Sequence, residues 1–186
     1  MRGFNMNKNE CLLEITNNTM NLWKNTTGFA PYSVTQKLSN TMLDWNTELT
    51  KTLLEWNKKG LDLELGELIL ARANLGAVAE FWLRFFYIVY YEDYTNAPLF
   101  YKNNLIEPED VRFYNLIEYS TGVLWDNTND PTYKWLHSVR KKRNAIHSIE
   151  YRDIGTPADF INDFVYLSVF VDDIINRLPS IEDYYN

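Results

Sequence analysis

One short stretch of this sequence carries residue types that can bind and cleave a phosphodiester. Residues 140–147 are Arg-Lys-Lys-Arg-Asn-Ala-Ile-His, and they include one of the chain's two histidines. Arginine stays charged and presents a planar fork of donors to phosphate oxygens. Histidine titrates near neutral pH, so it can transfer protons during a reaction. The stretch therefore predicts a site for an anionic substrate, with His147 as the group that moves protons.

The spacing of the charged residues suits one face of a helix. Arg140, Arg143 and His147 are three, four and seven positions apart, so their side chains can point the same way. At about 100° per residue they fall within an arc of roughly 60°. The apolar residues around them form the adjacent stripe, namely Trp135, Val139, Ile146 and Ile149. We therefore expect the charged trio at the edge of the buried face, partly desolvated and still reachable.

This arrangement resembles the signature of the HEPN superfamily, small all-helical domains found in many prokaryotic defence and toxin–antitoxin systems. The usual motif is an arginine, often followed by asparagine or another polar residue, and then a histidine after four to six intervening residues. Arg143 and Asn144 match the pair, but only three residues separate Arg143 from His147. Arg140 has the six-residue gap to His147, but Lys141 follows it.

The string Lys-Arg-Asn-Ala-Ile-His at residues 142–147 looks like that of a bacterial branch of the superfamily, in which the arginine lies four positions before the histidine. Four further segments are similar to the same branch. They are Ala71–Gly76, Tyr90–Tyr94, Arg152–Thr156 and Arg177–Pro179. The resemblance extends over roughly residues 36 to 182. It implies an all-α domain with the arginine–histidine motif on the penultimate helix.

The resemblance also implies a reaction, which is metal-independent endonucleolytic cleavage of RNA. A ribose 2′-hydroxyl attacks the adjacent phosphorus, the 5′-oxygen leaves, and a 2′,3′-cyclic phosphate forms. His147 would act in proton transfer, and Arg143 would stabilise the phosphate and the transition state. Arg140 would make a second phosphate contact, and Asn144 would orient the histidine or the phosphate. No metal and no cofactor are expected.

Several partners follow from the same resemblance. The motifs of two HEPN protomers commonly meet across a dimer interface, so we expect a homodimer that acts on RNA. Lys141 and Lys142 would extend the phosphate-binding surface. In some HEPN toxins a tyrosine after the histidine is nucleotidylated by the antitoxin. Tyr151, beside Glu150, is the corresponding candidate, and the partner would then be an antitoxin or nucleotidyltransferase.

Two other interpretations remain open. The chain could be a catalytically silent HEPN-like module that binds RNA, a nucleotide or a partner protein. It could also be a structural helical interaction protein, in which His147 lies satisfied at an edge and Arg143 pairs with Glu80 or Glu150. Glu80 and Arg84 have the spacing of an ion pair on one helix. His137 has no matching basic partner, and we expect a structural or solvent-facing role for it.

Composition restricts the protein class. The 186 residues are 46% hydrophobic and carry a net charge of −7, so one folded domain is expected. A general nucleic-acid coat protein would be basic, but a local basic patch on an acidic body is compatible with these values. The single cysteine, Cys11, excludes an intramolecular disulfide and favours the cytoplasm. The apolar stretch 75–91 contains Glu80 and Arg84 and predicts a core helix, not a membrane span.

Hydrophobic periodicity predicts an all-α, up-and-down bundle of about five to six helices with a long central helix. The predicted helices are residues 9–23, 34–58, 63–91, 109–125, 131 to the Arg/His cluster, and 157–178. The alternative for residues 9–23 is a loosely docked arm. Trp45, Trp56, Trp82 and Trp135 are predicted in the core. The chain divides into an N-terminal arm or weak helix over 1–30, the HEPN-like bundle over 31–182, and a tail over 183–186. No strand is predicted.

Overall fold

Helices form nearly all the regular structure of this chain, whose computed structural model describes residues 8–26 and 28–180. The fold over these ranges is all-α, as predicted, but it has eight helices instead of the predicted five to six. They are α1 (Lys8–Lys24), α2 (Tyr32–Ser39), α3 (Leu43–Lys59), α4 (Leu65–Val89), α5 (Tyr91–Asn96), α6 (Phe113–Tyr119), α7 (Pro131–Arg143) and α8 (Pro157–Asn176). Three 3-10 turns cover Gly60–Asp62, Pro108–Asp110 and Asn144–His147. The predicted tail, 183–186, lies outside the described residues.

The longest helix, α4, is the central element, and its extent agrees with the prediction for residues 63–91. It packs against α3, α7 and α8, so its side chains are buried on several sides. This explains why its sequence is apolar nearly all round. At its start, the backbone N–H of Glu64 donates to the carboxylate of Glu67 at 3.2 Å. The central helix therefore connects the other layers of the fold.

The starts of α7 and α8 are fixed by the local signals that the sequence contains. The Asp130 carboxylate accepts the N–H of Thr132 at 2.7 Å, and Pro131 occupies the first helical position. The Thr156 hydroxyl accepts the N–H of Asp159 at 3.2 Å, and the Asp159 carboxylate accepts the N–H of Thr156 at 2.8 Å. Both predicted helix starts are confirmed, because a cap needs only neighbouring residues.

The N-terminal segment forms a helix that belongs to the core. Leu12, Met20 and Trp23 of α1 are buried, and α1 packs along α3. Of the two predictions for residues 9–23, the described part of the chain has the helix. No helix in the described ranges combines the length and apolar character that crossing a membrane requires.

The predicted single helix over residues 34–58 is wrong, since the chain breaks between α2 and α3. Side chains at the break bond back to carbonyls of the preceding turn: Ser39 and Asn40 donate to the carbonyl of Gln36, and Thr41 donates to that of Lys37. Such bonds compete with continued helix. Because of the break, the residues of α3 do not face the directions that a continuous helix would give them. Trp45 is therefore exposed instead of in the core.

Both predicted ends of the helix over residues 109–125 are also wrong. The predicted helix 109–125 begins with the 3-10 turn Pro108–Asp110 and becomes α6 only at Phe113. It ends at Tyr119, shortly before Gly122 takes a φ of 86°, which favours glycine. Before this helix, where no strand is predicted, the chain forms a small antiparallel pair, β1 (Phe100–Tyr101) with β2 (Asn104–Leu105). A hairpin this short has too few residues for a strand pattern.

Candidate anion-binding site

A cavity of about 490 Å³, here called the arginine cleft, opens between α4, α6 and α7. Its walls carry four arginines and two carboxylates, together with aromatic and amide side chains. The charged residues are Arg84, Arg112, Arg140, Arg143, Glu80 and Asp110, and the others are Phe113, Tyr114, Asn115 and Asn144. Arginine thus outnumbers the carboxylates in a cavity of the size that small ligands occupy.

Glu80 joins two of these arginines at the bottom of the cleft. Its Oε2 lies 2.8 Å from Nη2 of Arg143, and its Oε1 lies 2.7 Å from Nη2 of Arg84. The Glu80 side chain is only 7% exposed, while the side chains of Arg84 and Arg143 are each about one-third exposed. Both pairs named from the sequence are confirmed. One carboxylate balances two guanidinium groups, so positive charge remains at the rim.

The other two arginines have no carboxylate partner among the described residues. Arg112 is exposed at the start of α6. Arg140 places its guanidinium carbon 5.1 Å from the ring centre of Tyr114, and its Nε is buried without a hydrogen-bond partner. The cleft therefore concentrates positive charge on a chain whose net charge is −7.

Gly76 sets the distance between α4 and the arginine end of α7. A Cβ atom at this position would lie 2.5 Å from Cβ and 2.7 Å from Cγ of Arg143. The stem of Arg143 thus rests directly on the backbone of α4, one turn before Glu80. Only glycine fits this contact without a shift of one helix, so Gly76 allows the Arg143–Glu80 ion pair to form.

Gly76→Ala should lower the free energy of unfolding by about 1–3 kcal/mol, because the added methyl group overpacks the contact. Urea denaturation followed by circular dichroism measures this change. Gly66→Ala is the matched control on the same helix, since a Cβ there meets nothing within 4 Å. The control should be neutral or slightly stabilising, because glycine is a poor helix former. Equal stability of the two variants would contradict the close-packing argument.

His147 does not occupy the predicted position on a continuous helix. The α-helix ends at Arg143, and residues 144–147 form a tighter 3-10 turn. Such turns are frequent at helix ends and advance about 120° per residue, so the helical-wheel prediction fails beyond Arg143. His147 is exposed and is not among the described residues that line the arginine cleft. Among the described residues, the arginines therefore line the arginine cleft without this imidazole.

The predicted apolar stripe is correct only within α7. Trp135 and Val139 are buried, whereas Ile146 is 42% exposed and Ile149 is 104% exposed. The apolar stripe ends with the α-helix at Arg143, because residues three and four apart share a face only in α-helical geometry. Beyond that point the apolar side chains extend into solvent, where Tyr151 is also 92% exposed.

The remaining predicted residues are placed in several environments, and their proposed roles stay predictions. Asn144 lines the arginine cleft. Lys142 does not line it, and its Nζ lies 2.8 Å from Oδ2 of Asp163. Lys141 is exposed and lines a neighbouring cavity. Glu150 is exposed near Tyr151.

His137 belongs to that neighbouring cavity, beside α6. Its Nε2 lies 3.0 Å from Oε1 of Glu118. Burial lowers the pKa of His137 from its ordinary value, and Arg140 and Lys141 act in the same direction against the opposing effect of Glu118. Burial and the two neighbouring cations thus favour the neutral imidazole.

Arg112 and Tyr114 are among the five cleft residues that the sequence interpretation missed, the others being Asp110, Phe113 and Asn115. Arg112 and Tyr114 both lie at the start of α6, far from residues 140–147 in the sequence. The packing of α6 against α7 places them in the same cavity as Arg140. No local spacing connects them to Arg140. The only available signal was an arginine near aromatic residues at a helix start, which is too common to be informative.

No group of three or more His, Cys, Asp or Glu side chains within the described ranges could hold a metal ion. A comparison with protein-family models, with curated proteins and with solved structures gives no match for this chain.

Proposed function

We propose that this protein binds RNA through its phosphates in the arginine cleft. The observation that carries the proposal is the presence of four guanidinium groups around one cavity, of which Arg112 and Arg140 have no carboxylate partner among the described residues. Arginine is well suited to phosphate because its donors match the geometry of two phosphate oxygens. A phosphate would supply the negative charge that these two side chains lack.

The acidity of the whole chain favours a local site over general binding to nucleic acid. With a net charge of −7, most of the surface repels a polyanion. Binding would therefore depend on a few defined contacts, and its salt dependence would report their number. The proposal consequently predicts a small salt slope that is sensitive to single arginines.

The double variant Arg112→Gln/Arg140→Gln tests the proposal. We expect it to weaken the binding of a labelled single-stranded RNA about tenfold or more. It should also reduce the slope of log affinity against log salt by about 0.7 for each phosphate that the protein no longer neutralises. Fluorescence anisotropy at several salt concentrations measures both. Neither substitution leaves a carboxylate unpaired, so folding should be retained.

Arg177→Gln removes one positive charge outside the cleft and is the charge-matched control for each single variant of the pair, Arg112→Gln and Arg140→Gln. Arg177 lies after α8, pairs with Asp173 at 3.0 Å, and does not line the arginine cleft. It should bind RNA as the wild type does. If the control and the double variant lose affinity equally, the charge is acting nonspecifically and the cleft is not the site.

A second candidate function is metal-independent cleavage of that RNA by a homodimer of HEPN type. It is favoured by three apolar side chains that are exposed within four residues of His147 along the chain, Ile146, Ile149 and Tyr151, which we take together as one patch. Large apolar side chains that stand exposed together commonly mark an interaction surface. A second copy that covers the patch would place two His147 rings near the joint surface, where two imidazoles can serve as acid and base.

This second candidate also accounts for the separation of His147 from the arginine cleft. One chain holds the phosphate-binding arginines in one place and the imidazole in another. A composite site would join the arginines of one copy to the imidazole of its partner. Incubation of the purified protein with labelled RNA in EDTA detects such cleavage.

A further inference from the structure

A second cavity adjoins the arginine cleft and shares two of its residues. This cavity, here called the tyrosine cavity, has a volume of about 510 Å³ and lies along the outer side of α7. Tyr114 and Arg140 line both cavities. Each volume falls within the range of about 300–1,000 Å³ that is typical of small-molecule sites, so the pair exceeds what one phosphate group occupies.

The charge of the tyrosine cavity is also positive on balance. Lys134, Arg140 and Lys141 line it and have no carboxylate partner among the described residues. The carboxylate there, Glu118, is already engaged: it accepts the O–H of Tyr133 at 2.8 Å and lies 3.0 Å from Nε2 of His137. The free charges of this cavity thus continue the positive surface of the arginine cleft along α7.

Aromatic rings distinguish the tyrosine cavity from a simple phosphate site. The His137 ring centre lies 4.5 Å from that of Tyr133 and 5.5 Å from that of Tyr114. Tyr114 is 48% exposed, and the guanidinium group of Arg140 covers part of its ring. Aromatic rings and arginine planes are the surfaces on which unpaired bases stack. A cavity that combines them with free lysines suits a nucleotide.

We infer that the two cavities together bind a single-stranded RNA segment of at least two nucleotides. One phosphate lies in the arginine cleft, and a neighbouring base stacks against Tyr114 in the tyrosine cavity. The inference rests on the proposed RNA binding and adds the form of the substrate. A duplex is excluded as the ligand, because its bases are stacked on one another and their faces cannot reach Tyr114.

The test compares Tyr114→Leu with Tyr114→Phe in the binding of a labelled RNA hexanucleotide. Leucine removes the ring, so affinity should fall on the order of tenfold. Phenylalanine keeps the ring, and the Tyr114 hydroxyl makes no hydrogen bond in the described structure, so affinity should stay within about twofold of the wild type. Inorganic polyphosphate has no base, and its binding should be the same for all three proteins.

Tyr32→Leu is the matched control, since Tyr32 is an exposed tyrosine on α2 that lines neither cavity. If Tyr114→Leu binds the hexanucleotide as the control does while Arg112→Gln/Arg140→Gln does not, RNA binding stands and the stacking inference is wrong. If no variant and not even the wild type binds RNA, the proposed function itself fails. Equal or tighter binding of a duplex, unaffected by Tyr114→Leu, would also overturn the inference.

Photo-crosslinking keeps the inference testable if Tyr114→Leu does not fold. A hexanucleotide that contains 4-thiouridine is irradiated with the wild-type protein, and the attached peptides are identified by mass spectrometry. Crosslinks within residues 112–141 support the inference, because this range carries Tyr114, Tyr133 and His137. Crosslinks confined to other parts of the chain would overturn it.

Discussion

Asp163→Ala should lower the free energy of unfolding by about 3–5 kcal/mol, because it leaves a buried charge without its partner. Asp163 forms an ion pair with the guanidinium group of Arg72, whose side chain is 1% exposed. The same carboxylate lies 2.8 Å from Nζ of Lys142 and accepts the indole N–H of Trp135 at 3.1 Å. Burial lowers the pKa of Arg72. Arginine nevertheless remains protonated in proteins, so the charge persists after the substitution.

Asp173→Ala is the control on the same helix. Asp173 pairs with Arg177 at 3.0 Å, but both side chains are widely exposed, and pairs of this kind contribute about 0–1 kcal/mol. Urea denaturation monitored by tryptophan fluorescence measures both variants. A decrease of less than about 1 kcal/mol for Asp163→Ala would show that the buried guanidinium group finds other partners or water.

Arg72, which pairs with Asp163, also holds the segment that follows His147. The Nε of Arg72 donates to the carbonyl of Ile154 at 2.9 Å, which fixes the end of the exposed segment before α8. Removal of the Asp163 carboxylate would release Arg72 and, with it, this anchor. Lys142, predicted from the sequence to bind phosphate, contacts Oδ2 of Asp163, the same carboxylate oxygen that Arg72 contacts. One lysine of the basic stretch therefore has a structural contact that its position in the sequence does not indicate.

The parts of the fold that were predicted correctly depend on short-range chemistry. The starts of α7 and α8 follow from caps within a few residues, and the Glu80–Arg84 pair follows from a spacing of four on one helix. The central position of α4 follows from a helix that is apolar on all sides. These features are determined by the residues immediately around them, so a single sequence is sufficient to predict them.

The features that were missed depend on how elements pack or rotate relative to one another. The apolar period continues from α2 into α3, so nothing in the hydrophobic pattern indicates the break that exposes Trp45. Asn46 and Thr50 take the buried positions instead, against ordinary expectation for polar side chains. Arg112 joins the cleft only through the packing of α6 on α7. The histidine was misplaced because one turn of 3-10 helix changes its direction.

His147→Ala should reduce the rate of RNA cleavage about 10²- to 10⁴-fold if the homodimer is an endoribonuclease, because proton transfer by a positioned histidine contributes this much. The rate is measured at saturating RNA in EDTA, with the 2′,3′-cyclic phosphate product identified by mass spectrometry. His137→Gln removes the chain's other imidazole, which lines the tyrosine cavity, so the two variants are compared at saturating RNA, where a loss of affinity alone does not lower the rate. A slower rate with His137→Gln but not with His147→Ala would move the acid–base role to His137.

The dimer requirement is tested separately with Ile149→Asp. Ile149 is fully exposed in the single chain, so an aspartate there should not destabilise the monomer. At an interface between two copies, however, it would place charges in an apolar contact and favour dissociation. Sedimentation velocity should show the wild type as a dimer and Ile149→Asp as a monomer, and cleavage should disappear with the dimer. A variant that sediments as a monomer and cleaves at the wild-type rate would show that one chain suffices, and it would remove the need for a composite site.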